Sequence, residues 1–590
     1  MSDIDLDRPT VIDRVPSERF PVYTRANVSE IWPGPALPLT YTTQAGMVFD
    51  LAWRRALVRL GAFDLDEFDP DNEVMIGVFY GYPYLNVSVQ RVFGVRMPGA
   101  SPEIIDESFF GGQEGIPPYR SDPRDESPEH TARMADKIGE ILASPAIARL
   151  EADERRIKAL RENRPELSGM SVPELWEYIA PLILDVFGEL QEEHLFIINA
   201  SSIPIGVVQA VATRLGDPGL AIRALSGLGD VASARPAYGM WELSRAVRAS
   251  SALTRIFDEG LDGMVARLAA AGEQPEVRHF RERFEAFLYE FGSRGPNEMD
   301  PGSPSWETSP EMALAAVERM RLQPDSASPQ AAGERLAADR EQVSAQLLER
   351  VADDAETHAQ LQTALRATKV WLPARELSKF LAVIVVNEVR VALAELGRRL
   401  VSAGALDAPS DVMMLRYDEM PSLVADPSKW TEEVRERRQW FEKLTELEPP
   451  FITEGRPTPP STWPRRRSGE FTPVTQGEVI TGIPACPGRA SGIARVIVDP
   501  TDCADLEPND VLIAASTDPA WTPLFLSAAA VVVDIGAPLS HAAIVSRELG
   551  VPCVVSATHA SRRIPDGARV TVDATAGTVT VDELPAPVAS

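Results

Sequence analysis

The sequence predicts a multidomain protein, largely α-helical, with a small α/β domain towards its C-terminal end. Three observations predict it. The 590-residue length exceeds that of one ordinary domain. A long central stretch repeats apolar residues at three- and four-residue spacing, the period of a helix with one buried face. From Glu478 to about Leu584 the pattern changes to short β-branched runs separated by turn residues.

Taken in order, the first zone runs from Ser17 to Pro123 and is rich in Pro, Gly and aromatics, as in NVSEIWPGPALPLTYT and GVFYGYPYLNVSV. It predicts loops, short helices and short strands. The second zone, Ser127 to Pro449, is helical. HTARMADKIGEILASPAIARLEADERRIKAL carries the helical period, and so does SVPELWEYIAPLILDVFGELQEEHLFIINA. Ser171 with Glu174 three residues later reads as a capping box. Further helices are expected over Met312 to Met320, Glu334 to Lys369 and Ala374 to Ala403. From Thr453 to Gly477, Pro, Ser/Thr and an RRR run replace the helical pattern and predict a stiff connector. The expected division is a mainly helical domain over 1–452, a hinge linker over 453–477 and the α/β domain over 478–590. In that last domain ARVIV, DVLIAAS, AAVVVD, PCVVSA, ARVTVDA and GTVTVD read as strands, and His541 to Leu549 as a helix.

Charge and composition exclude several classes. A net charge of -29 repels nucleic acid and anionic membrane surfaces. No run of about 18 apolar residues predicts a membrane span, and the polar start MSDIDLDRPT is unlike a signal peptide. Cys486, Cys503 and Cys553 lack metal-ligand spacing. These features together predict a cytoplasmic protein with no membrane or nucleic-acid partner.

The informative segment is VVVDIGAPLSHAAIVSRELGVPCVVS. A strand ends at Asp534, a turn follows with Gly536 and Pro538, and Ser540 can cap a helix. His541 then occupies the first turn, where free N–H groups and the helix dipole favour an anion. A phosphorylated imidazole is such an anion. Neutral imidazole, with an ordinary pKa of about 6.5, is a nucleophile near neutral pH. The alternative from these residues alone is a plain helix-start histidine.

GAPLSHAAIVSRELGVPCVV resembles the phosphohistidine signature of the phosphoenolpyruvate-utilising, swivelling-histidine family. GIPACPGRASGIARVI resembles that domain's entry strands, STDPAWTPLF the segment beside the histidine loop, and IPDGARVTVDATAGTVTV its closing hairpin. YTRANVSEIWPGPALPLTYT, FGSRGPNEMDPGSPSW and the stretch from LPARELSKF to MMLRYDEM resemble, more loosely, the substrate domain of rifampin phosphotransferase. The resemblance implies that His541 carries a phosphoryl group, supported by Ser540, Gly536 and Thr517, and that the domain swings between two sites.

No ATP-grasp module, P-loop or phosphoenolpyruvate barrel is apparent in the sequence. The histidine-bearing subunits of two-subunit phenylphosphate and alkylphenol (cresol) phosphate synthases are similar in this respect. By that analogy a separate ATP-grasp subunit holds ATP and Mg²⁺, charges His541 and releases AMP and phosphate. The acceptor is then a hydroxyl of a small organic molecule, a phenol first. The alternatives are charging from phosphoenolpyruvate, and a non-catalytic phospho-relay or binding protein. No metal site is assigned to this chain.

For transfer, Arg375 and Lys379 share a helix face, and Pro373 just before them suggests a helix start. Two cations there would clamp a transferring phosphoryl group, as the resembling R-E-x-x-K helix implies; the alternative is a solvated basic face. Arg294, Glu298 and Asp300 are phosphate- or acceptor-binding candidates, or else turn and capping residues. Glu419 with Arg416, and His194 as a base for a phenol, complete the candidates. For His194 the plain alternative is a satisfied, partly buried histidine. Trp32, Tyr41, Phe79, Tyr80, Tyr82 and Tyr84 are pocket candidates as a group, or core.

Overall fold

A computed structural model describes residues 4–8, 13–69, 72–110, 115–229, 231–466, 471–498, 506–507, 509–517, 521–536, 540–557 and 559–585. Cys503 and Pro538 lie outside them. The chain divides into two compact units, each built from several segments.

Unit 1 comprises Met1–Ala200, Met299–Ser303 and Ser378–Glu470. Its strands β1 (Val22–Thr24), β2 (Ile76–Phe79), β3 (Tyr82–Asn86) and β4 (Ile452–Glu454) form an antiparallel sheet in the order β2-β3-β1-β4. The sheet is buried and aromatic: Tyr23 meets Phe79 edge-on at 5.1 Å, and Phe79 meets Tyr84 at 5.6 Å. Tyr82 donates its hydroxyl to the carbonyls of Leu444 and Leu447, and Tyr84 to that of Pro450. Trp32, Tyr41, Phe79, Tyr80, Tyr82 and Tyr84 are all buried. Ser171 and Glu174 form the expected capping box.

Unit 2 comprises Ser201–Glu298, Pro304–Leu377 and Phe471–Ser590. Its helices include Arg235–Ala249, Pro275–Phe291, Pro310–Leu322 and Pro329–Arg350. Its sheet has eight strands: β5 (Val479–Thr481), β6 (Ile483–Cys486), β7 (Arg489–Val496), β8 (Val511–Ala514), β9 (Ala530–Val533), β10 (Cys553–Val555), β11 (Arg569–Asp573) and β12 (Thr578–Glu583). The order is β5-β12-β11-β7-β8-β9-β10-β6. β7 to β10 run parallel, flanked by antiparallel neighbours on both sides. All six strands read from the sequence are present. β8 and β9 are fully buried four-residue runs, as parallel strands covered on both faces must be.

The helix boundaries around Pro373 correct the sequence reading. One helix runs from Ala355 to Ser402 with Pro373 in its interior. The break falls at Val351–Asp354 instead, where the Asp354 carboxylate accepts from the Thr357 N–H at 3.1 Å and starts the new helix. A proline inside a helix forfeits one backbone hydrogen bond. Here buried Trp371, Ala374, Phe380 and Leu381 hold the helix on either side of it, and packing outweighs propensity. Arg375 and Lys379 therefore sit in mid-helix, away from any helix N-terminus.

The expectation of no long apolar helix also changes. The helical stretch from Val172 to Arg214 is long and apolar enough to cross a membrane by length and composition. Most of its apolar window is buried inside the protein, as in a core helix.

The Pro-rich stretch is anchored at both ends. In unit 1, Trp463 packs on Tyr80 and Tyr82, Ser461 bonds to Asp7, and Arg466 donates to the Leu447 carbonyl. In unit 2, Val474 enters the core of the sheet and its N–H bonds to the Arg563 carbonyl at 3.1 Å. Residues 467–470 lie outside the described set.

Candidate functional site

β9 is followed by Asp534, which is 6% exposed and accepts from the backbone N–H and hydroxyl of Ser561. Burial pushes its pKa up to about 6. The turn is tight at Gly536: a Cβ there would lie 3.1 Å from both Ser540 Oγ and Val555 Cβ. Ser540 is the N-cap, its hydroxyl accepting from the Ala543 N–H, and His541 is the first residue of the His541–Leu549 helix. The helix closes at Gly550, left-handed with φ 71°.

This helix links β9 to β10, so His541 stands beyond the C-terminal end of a parallel strand. Parallel α/β sheets place their ligands there. The segment after the neighbouring β8 brings Thr517 alongside, with Oγ1 3.4 Å from His541 Nδ1. Phe525 covers the ring at 6.0 Å between centroids, and His541 Nε2 is enclosed from solvent. Thr517 and Ser540 are themselves buried. The structure thus gathers His541, Ser540, Gly536 and Thr517 in one place.

The far end of the same helix packs, within unit 2, on the Pro329–Arg350 helix. Gly550 approaches Leu336, the Glu548 carboxylate accepts from the Leu228 N–H at 3.4 Å, and Arg340 donates to the Gly227 carbonyl. Glu548 is 6% exposed, and burial pushes its pKa up to about 7, with the negative charge of Glu376 adding to the effect. Burial lowers the pKa of Arg547, and the positive charge of Arg375 acts in the same direction. Arg375 therefore acts electrostatically on the far end of the histidine-bearing helix, from within its own unit. Lys379, one turn on, belongs to unit 1.

The other candidates fall into separate groups. Arg294 and Glu298 form a buried bidentate ion pair at 3.0 and 2.9 Å in unit 2, and Arg294 also donates to the Ala232 carbonyl. In unit 1, Asp300 accepts from the Thr40 hydroxyl at 2.6 Å and the Gly302 N–H at 2.8 Å; burial raises its pKa. Arg390 donates to the Asp300 carbonyl and to Asn387. His194 is buried, with Nδ1 2.9 Å from the Ser378 hydroxyl. Glu419 is held by Arg437 and by the Arg416 N–H; burial raises its pKa but these bonds outweigh it and leave it below the usual range. Among the described residues, no group of three or more His, Cys, Asp or Glu side chains suits a metal ion.

Sequence reasoning missed Thr40, Asn387, Arg390, Ser378 and Glu548. Each lies in an ordinary helical or loop context, and only the fold brings it beside its partner. The signal that could have found Asn387 is its place, with Glu388, as a polar pair inside an apolar helical run.

Comparison with known proteins finds a match at this site and a second one in the helical region. Residues 506–577 match the mobile domain of PEP-utilising enzymes, and residues 194–376 match the fourth domain of rifampicin phosphotransferase. The resemblance read from the histidine motif falls in the first match and that read from FGSRGPNEMDPGSPSW in the second, while YTRANVSEIWPGPALPLTYT lies outside both. The chain is 32% identical over 367 residues to an uncharacterized protein of Mycobacterium tuberculosis, covering 60% of this chain and 37% of that protein. It is 30% identical over 306 residues to the rifampicin phosphotransferase of Streptomyces sviceus, covering 51% and 34%. It is 29% identical over 373 residues to the prodigiosin synthesizing transferase PigC of Serratia marcescens, covering 62% and 40%. The chain thus spans between 34% and 40% of the length of these curated relatives.

Proposed function

We propose that this chain is the carrier and acceptor-binding part of a cytoplasmic phosphotransferase, with His541 as the phosphohistidine. The observation that carries the reading is the placement of His541 in the first turn of a helix, beyond a parallel strand, with Thr517 at Nδ1. With Nδ1–H donating to the Thr517 hydroxyl, Nε2 keeps the lone pair that attacks phosphorus. The helix N-terminus then stabilises the added negative charge. Enclosure of Nε2 keeps water from the labile P–N bond.

In this reading a separate ATP-grasp subunit supplies ATP and Mg²⁺. The β-phosphoryl group passes to His541, and AMP and phosphate are released. In the second half-reaction the acceptor's oxygen forms a bond to phosphorus as the P–N bond breaks. The hydroxyl proton leaves, and neutral imidazole is restored. Arg375 and Lys379, four residues apart on one helix face, are the cations proposed for the transferring group, by the resemblance of the R-E-x-x-K pattern. The acceptor is a phenolic hydroxyl, by analogy with the split phenol-phosphorylating synthases.

The test mixes the full chain with a candidate ATP-grasp protein and ATP labelled at the β-phosphate, with labelled phosphoenolpyruvate as a parallel donor. Acid-labile label on the wild type and none on His541→Ala is expected. Loss of that label on adding phenol, with labelled phenyl phosphate formed, separates an enzyme from a relay. Label that survives in His541→Ala refutes the carrier assignment.

A further inference from the structure

We propose that Gln191 recognises the acceptor's hydroxyl group inside unit 1. This rests on the reading above that the helical part of the chain binds a hydroxylated acceptor. Gln191 lies on the Gly188–Arg214 helix and is fully buried. Among the described residues, neither its amide oxygen nor its amide nitrogen has a hydrogen-bond partner. A primary amide brings two donors and one acceptor, and burying them unmet is costly. Such a group inside a folded protein calls for an explanation, and a polar ligand supplies one.

The neighbouring contacts say which way it faces. Residues on a helix turn by about 100° each, so Gln191 and His194 share a face. Glu193, two residues on, points nearly opposite, to Arg59 and to Arg149 at 3.4 Å. His194 reaches Ser378 at 2.9 Å, so the Gln191 face looks toward the Ala355–Ser402 helix. Farther along that helix are buried Asn387 and Arg390. Arg390 ties both to Asp300, whose carboxylate holds Thr40. Polar groups of three chain segments thus occur along this one helix of unit 1. Gln191 is a member with both its donor and its acceptor atoms unused among the described residues.

A hydroxyl both donates and accepts, as a primary amide does. A phenol's apolar ring suits the Leu190, Leu195 and Phe187 surroundings of the helix, all buried, while its hydroxyl takes the amide. Gln191 does not touch phosphorus in this assignment; it positions the acceptor and selects for it.

The test uses the full chain phosphorylated on His541 by phosphoramidate, with phenol and p-cresol as probes and toluene as the control without a hydroxyl. Calorimetry gives the half-saturating probe concentration, and loss of acid-labile label gives transfer. In Gln191→Leu the half-saturating phenol concentration is expected to rise about 10-fold, the loss of an uncharged hydrogen bond. Toluene binding and the unfolding midpoint are expected to hold. Gln191→Met is the second variant, close in length to glutamine. Unchanged phenol binding in a folded variant overturns the assignment, and so does failure of both variants to fold, which makes the amide a structural group. A labelled wild-type chain that binds neither probe also overturns it, while leaving the carrier role of His541 intact. A chain that takes no label from phosphoramidate but binds phenol through Gln191 supports the assignment.

Discussion

Replacing Glu548 with glutamine tests the packing that holds the histidine-bearing helix. Glu548 is buried on the face that meets the Gly227–Leu228 segment and the Pro329–Arg350 helix. Its groups in reach are the Leu228 N–H, Arg340, Glu376 and Arg547. Burial raises its pKa from 4.5 to about 7 in the folded chain. A carboxyl raised in this way binds more protons folded than unfolded over the interval between the two values. Its ionisation therefore costs stability as pH rises through that interval, and the cost is complete above the folded value. The raised value corresponds to about 2 to 3 kcal/mol between pH 5 and pH 8. A glutamine amide in its place does not ionise and keeps a carbonyl for the Leu228 N–H. The expected outcome is a denaturant midpoint for unit 2 that falls between pH 5 and pH 8 in the wild type and falls less in Glu548→Gln. The two proteins differ most at pH 8, where the variant is the more stable. All other titrating groups cancel in the comparison. Equal pH dependence of the two proteins would refute a buried, ionisable Glu548 at this contact.

Three further outcomes follow from the same geometry. Arg294→Met leaves Glu298 buried without its ion-pair partner and should cost about 3 to 5 kcal/mol, whereas Arg294→Met with Glu298→Leu should recover most of it; chemical denaturation of both measures this. Ser540→Ala removes the N-cap beside His541 and should cost about 1 kcal/mol, read as a lower unfolding midpoint with less phosphohistidine label. Thr517→Val removes the hydroxyl at Nδ1 and should slow labelling of His541 about five- to tenfold, the worth of one hydrogen bond, with little change in unfolding midpoint.

The histidine site was legible because its signals are local. A buried β-branched run, a Gly-containing turn, a Ser cap and a Gly stop define strand, turn and helix within a short segment, and the helix His541–Leu549 begins and ends where those residues place it. The helical zone was legible for the same reason, down to the Ser171 cap. The Pro373 region was misread because a proline is a local signal against a helix, while the burial that overrides it comes from elsewhere in the chain. Arg294 and Glu298 were visible as charged residues, but their mutual pairing depends on the loop's path.

By itself, then, the sequence determined the local frame of His541: its turn, its helix and the six strands around it, since all follow from period, capping and turn chemistry over short distances. Only the tertiary structure decided what surrounds that histidine. Thr517 at Nδ1, Arg375 near Arg547, Glu548 against Leu228 and the unmet amide of Gln191 each join residues far apart in the chain or turn on burial. Hydrogen bonding and charge depend on distance and desolvation, and neither is set until the segments pack.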